Sequence, residues 1–325
     1  MTTTLLDRAD QRPSVSSAQW LRDITAAVRV SFTWFGVRKS LTAEQKNQAA
    51  ESFGAEGEFL SASKKLINTR HTAYKSVTAV KGRVQAYWKS LTLPYPEPGI
   101  RLIRQFQIDA FNEQMGGFRS QLDQAVATLE AHYAELKEAA RRRLGDLFNP
   151  SDYPSTLRSL FAVEWDFPNV EPPDYLEQLN PAIFEQEKAR VAARFEEAIQ
   201  LAEQAFISEF AKLIEHLTER LSSTEGEHKI FRDSAITNLT EFFGRFSQLN
   251  VRSNQDLDAL VERAQQIVRG IEPQGLRTND GLRQHVATQL SQVQSVIDGM
   301  LIDQPRRRII RAQPSSNGDN HGSRD

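Results

Sequence analysis

Between Phe59 and Pro96 stand Lys64, Lys65, Arg70, Lys75, Lys81, Arg83 and Lys89, with no acidic residue among them. His71, Tyr74, Tyr87 and Trp88 are interleaved with these cations, and Arg101 and Arg104 extend the run. Ammonium and guanidinium groups neutralise phosphate oxygens and aromatic faces stack on bases, so this pattern could bind DNA or RNA. The same cations equally suit docking on an acidic surface, either of this chain or of a protein partner. A second cluster, Arg306 to Arg311, could touch phosphates or a partner, but reads first as the solvated end of a chain.

Catalytic and metal chemistry find less to work with. The six histidines, His71, His132, His216, His228, His285 and His321, are scattered, and none stands in a His-Glu-x-x-His arrangement. A Glu-x-x-His unit, the building block of di-iron bundles, occurs at Glu225 to His228, within an expected loop. There is no phosphate-cradling Gly-x-x-x-x-Gly-Lys run and no Gly-x-Ser-x-Gly elbow. No catalytic residue, metal ligand or cofactor is therefore expected, and the chain reads as a non-enzyme. With no cysteine, disulfides and thiolate sites are excluded.

The segment Trp165 to Tyr175 combines aromatics with prolines. Trp165, Phe167 and Tyr175 either form a partner-binding head or fill the end of a helical hairpin.

The elements that would position these residues are long helices. From Phe106 to Leu147 apolar side chains recur at Ile108, Phe111, Met115, Phe118, Leu122, Val126, Leu129, Tyr133, Leu136, Ala140, Leu144 and Leu147, in steps of three and four. That spacing predicts one amphipathic helix. A second stripe follows Pro181, through Phe184, Val191, Phe195, Ile199, Ala202, Phe206, Phe210, Leu213, Leu217 and Leu221. Two matched stripes predict an antiparallel, coiled-coil-like hairpin, closed by a packed aromatic and proline-rich cap over 148–182. The fold class expected is all-α, with tails at 1–15 and 304–325, a basic and mainly helical region over 16–99, the hairpin over 100–222, and helices over 223–303. Whether residues 28–35 make a strand stays open, since Val28, Val30, Phe32 and Trp34 alternate while Trp20, Ile24, Ala27 and Val28 suit a helix. Three prolines in Leu93 to Gly99 predict an extended link.

Net charge is −2, but residues 1–105 hold 16 Lys/Arg against 8 Asp/Glu. The halves thus face different partners or each other. No apolar run approaches membrane-spanning length, and the polar, acid-bearing first residues are unlike a signal peptide, so a cytoplasmic location is expected.

The runs Phe32 to Lys39, Ser63 to Leu66, and Tyr87-Trp88 with Leu93 to Pro96 resemble an uncharacterised bacterial and phage family of helical proteins. Members of that family are commonly encoded near MoxR-type AAA+ ATPases and von Willebrand factor A-type proteins. The resemblance covers residues 1–220 and implies an accessory or adaptor role beside an AAA+ machine, without supplying catalytic residues. The resulting expectation is a helical interaction or adaptor protein with a protein partner and no membrane partner. Self-association stays open, and the alternative is a nucleic-acid binder using 59–104.

Overall fold

The computed structural model describes residues 16–222 and 233–302. It corrects the all-α expectation: helices dominate, but among the described residues six strands form a four-stranded antiparallel sheet and a two-stranded ribbon. The chain order is α1 (Ser17–Ile24), β1 (Thr25–Thr33), β2 (Arg38–Ser40), α2 (Ala43–Glu51), β3 (Ser63–Lys65), α3 (Thr72–Ser90), β4 (Thr92–Pro94), β5 (Ile100–Arg104), α4 (Ile108–Ala131) and α5 (Tyr133–Leu144). It continues with β6 (Ala162–Asp166), α6 (Tyr175–Leu179), α7 (Pro181–Leu221), α8 (Ser234–Leu249), α9 (Gln255–Val268), α10 (Pro273–Thr278) and α11 (Asp280–Ile302). The described residues divide into two compact units, 16–205 with 243–255, and 206–222 and 233–242 with 256–302.

The sheet has the order β4-β5-β1-β6. Along β1 the alternation of Val28, Val30 and Phe32 is that of a strand, with Val30 opposite Trp165 and Phe32 opposite Val163 of β6. The proline-rich link is a β-hairpin: Leu93 pairs with Leu102, and Gly99 takes φ +82° to turn the chain. Pro94 sits on the edge strand, where the donor it lacks is not needed by the ladder. The 148–182 segment does not cap a hairpin. Its β6 completes the sheet, and Arg29 and Asp166 form an ion pair across β1 and β6.

The first long stripe also finds a different partner. Phe111, Met115, Phe118, Leu122, Val126, Leu129, Tyr133, Leu136 and Ala140 share one core with Tyr74, Val77, Val80 and Val84 of α3 and with Val28, Val30, Ile103 and Val163 of the sheet. The helix that α4 buries its face against is therefore α3, not α7. The expected single helix is interrupted at His132, whose N–H is shared by the carbonyls of Leu129 and Glu130 before α5 begins. The periodicity survives that interruption, which is why it was invisible in the stripe.

In the second unit the ring of Phe242 stacks on Phe210 at 5.2 Å. The guanidinium of buried Arg283 donates to the carbonyls of Leu221 (3.2 Å) and Arg220 (2.9 Å), closing the C-terminus of α7. Arg277 pairs with Asp233. No described helix is long and apolar enough to cross a membrane. The expected tails, the Glu225–His228 unit and the Arg306–Arg311 cluster lie outside the described residues.

Candidate functional site

The chain between β2 and β3, exposed nearly throughout and packed chiefly on itself, forms a small projection. Its base is the β2–β3 ribbon, in which Lys39 lies opposite Lys64 and Arg38 opposite Lys65. Directly opposed residues on antiparallel strands share a face, and like charges there repel. One of the two pairs is neutralised. Asp152 meets Lys39 at 2.6 Å and Lys64 at 2.7 Å, with the carboxylate and the Lys64 ammonium almost wholly buried. Lys64 also donates to the Leu147 carbonyl at 2.6 Å. Burial is the largest influence on the Asp152 carboxyl and pushes it up, but the hydrogen bonds and charges of Lys39 and Lys64 together outweigh it and hold the group below its ordinary value. The Tyr153 hydroxyl donates to the Leu66 carbonyl at 2.9 Å, which fixes the same junction.

The other pair, Arg38 and Lys65, is exposed, and among the described residues neither has a carboxylate within ion-pair distance. Lys65 borders a cleft of about 300 Å³ whose floor includes Ile67, Leu136 and Ala140 and whose rim includes Arg70 and Arg143. Asn68 and Thr69 also line it, so the cleft has an apolar floor and a polar, cationic rim.

Beyond the ribbon the projection changes sign. Residues 41–62 hold Glu44, Glu51, Glu56 and Glu58 against a single cation, Lys46. Thr42 caps α2 by accepting from the Gln45 N–H, while the Gln45 side chain accepts from the Thr42 N–H. The segment after α2 packs back on it through Gly57. A Cβ on Gly57 would stand 2.7 Å from the Asn47 nitrogen and 2.8 Å from its Cα, so glycine is needed for that approach. The joint is thus made by backbone, and Phe53 and Phe59 are left 82% exposed. Between α2 and residues 55–58 runs a groove of about 640 Å³, lined by Glu51, Glu56, Glu58 and Lys46 among others.

The structure disperses the nine cations singled out between residues 64 and 104. Lys64 is internal, as above. Arg104 is buried, with its guanidinium 4.6 Å from the Trp20 ring and a hydrogen bond to the Asn250 carbonyl at 3.3 Å. Arg101 donates to the Thr92 hydroxyl and carbonyl, both at 2.7 Å, and burial pulls its guanidinium down to about 10, still charged at neutral pH. Lys81 lies over Trp34 and Phe32 at 4.5 and 4.9 Å, and Arg83 donates to Gln121 at 2.9 Å on the α4 side. Lys75 and Lys89 are exposed on α3, and Lys65 and Arg70 meet at the cleft.

Of the connector aromatics, Trp165 donates to Asn112 at 2.7 Å and lies under the Arg119 guanidinium at 4.5 Å. Phe167 is 39% exposed with its edge on Phe111, and Tyr175 is 62% exposed at the start of α6. Sequence reasoning missed the projection's phenylalanines. The available signal was an acidic segment ending in Phe59 beside a stretch without acids.

No known protein family, curated protein or solved structure matches the chain. The surface itself carries the argument.

Proposed function

We propose that the protein is a non-enzymatic interaction protein of the adaptor kind, and that it grips a protein partner with the projection over 41–62. The observation that carries this reading is the pair of exposed rings, Phe53 and Phe59, set among carboxylates and unused by the protein's own core. Covering a phenylalanine side chain is worth about 1.5–3 kcal/mol, so two rings left in water are affinity held in reserve. The complementary surface is an apolar pocket rimmed by Lys and Arg, with the carboxylates steering encounter. An AAA+ ATPase is the partner class that the family resemblance suggests. Nucleic acid is the weaker reading, because Lys64, Arg101 and Arg104 are engaged inside and Lys81 and Arg83 on separate sides of α3.

The test is affinity capture from the native host with the parent and with a Phe53→Ser/Phe59→Ser variant, followed by titration of the purified partner. The variant keeps the parent's melting temperature and binds at least about tenfold more weakly. Equal binding by the two proteins overturns the reading.

A further inference from the structure

Near the cleft the structure brings together three side chains that no local motif connects. His71 is the N-cap of α3, and His132 is the residue that interrupts the long helix before α5. Their rings lie 5.1 Å apart, centre to centre. Glu135, on the first turn of α5, stands with its Oε2 3.4 Å from His132 Nδ1. One nitrogen or oxygen from each of the three lies within 4.8 Å of the others.

We propose that His71, His132 and Glu135 form a site for a divalent transition-metal ion of the zinc class. Two imidazoles and a carboxylate are the borderline donor set that Zn²⁺ takes, rather than the all-oxygen shell of Mg²⁺ or Ca²⁺. Ligands at about 2.0–2.1 Å from a tetrahedral ion stand about 3.3–3.4 Å from one another. The His132–Glu135 separation already equals such an edge. His71 needs to close by at most about 1.5 Å, and all three side chains are reachable, with His132 and Glu135 exposed and His71 half-buried. Water completes the coordination on the solvent side.

One feature sets the strength of the site. His71 Nδ1 accepts a hydrogen bond from the Ala73 N–H at 3.3 Å, capping α3. A metal on Nδ1 takes that lone pair directly. A metal on Nε2 moves the ring proton to Nδ1, which then cannot accept. Either route trades the cap for the ion, and losing a cap weakens binding by about fivefold. The ion in return ties the start of α3 to the start of α5, a link that exists only in the folded chain.

The experiment is Zn²⁺ titration of the full chain by calorimetry, alongside thermal melts with Zn²⁺ and with Mg²⁺. Expected are one saturable Zn²⁺ site, a rise in melting temperature of about 5 °C with excess Zn²⁺, and no response to Mg²⁺. His71→Asn keeps a good N-cap but removes the imidazole, so it should fold normally and bind Zn²⁺ at least about tenfold more weakly. His132→Ala should do the same, and Glu135→Gln should lose less. Zn²⁺ affinity unchanged in both histidine variants, or no saturable binding by the parent, overturns the site. His216 and His285 remain in every variant, so adventitious binding shows itself as that unchanged affinity.

Discussion

The two sides of the β2–β3 ribbon present the same problem and resolve it differently. Lys39 and Lys64 face one way, Arg38 and Lys65 the other, each a pair of like charges at matched register. On the first side Asp152 arrives from a turn far along the chain and takes both ammonium groups, so a lysine can be buried. On the second side no acid arrives among the described residues, and the cations stay exposed, Lys65 at the edge of the cleft. The difference teaches that a cation's residue type says little about its use. What decides is whether a carboxylate from elsewhere reaches it.

The largest effect should come from removing that carboxylate. Asp152→Ala leaves the Lys64 ammonium buried without its counter-charge and should cost about 3 kcal/mol in a urea unfolding curve, the low end for a buried pair because Lys39 stays in contact with water. A Lys64→Met/Asp152→Leu variant, which removes charge and counter-charge together, should recover most of the loss; if it does not, the clasp is not electrostatic.

Acid should erase the same difference. Because the folded Asp152 carboxyl titrates below its ordinary 3.8, its contribution is whole above that value and disappears as pH falls through the lower folded one. The gap in stability between the parent and Asp152→Asn should therefore hold at neutral pH and narrow only below about 3.8, as read from denaturant midpoints at successive pH values. A gap that narrows instead near neutrality would assign the clasp to another group.

On the opposite side the sign should reverse. Lys65→Glu replaces repulsion from Arg38 with attraction and should stabilise by about 0.2–1 kcal/mol, measured in the same way. The smallest effect belongs to the projection. Phe53→Ser and Phe59→Ser should each shift stability by less than about 0.5 kcal/mol, since neither ring is packed in the fold. A larger loss would mean that these rings serve the structure and not a partner.

Much of the helical content was legible, and the reasons for the failures are specific. The stripe of α4 and α5 reports that a partner exists but not which one, so α7, matched in length, displaced the shorter α3. Prolines concealed the β4–β5 hairpin, because an edge strand tolerates Pro94 where a central strand would not. The five residues of β6 were too few to show alternation within an aromatic segment. Arg101 and Arg104 counted as surface cations, although their place on β5 puts one beside Trp88 and the other beneath Trp20. His71 and His132 approach only once α3 and α4 have packed, and no spacing rule anticipates that.

The sheet assembles from three widely separated stretches, and β1 sits between the last two to be made. During synthesis β1 leaves the ribosome long before Ile100, and one of its edges stays unsatisfied until Asp166 has emerged. An uncovered strand edge on a nascent chain is an invitation to pair with a neighbour. Slow translation between these points should favour aggregation, and truncations ending before residue 162 should be less soluble than those reaching past 166.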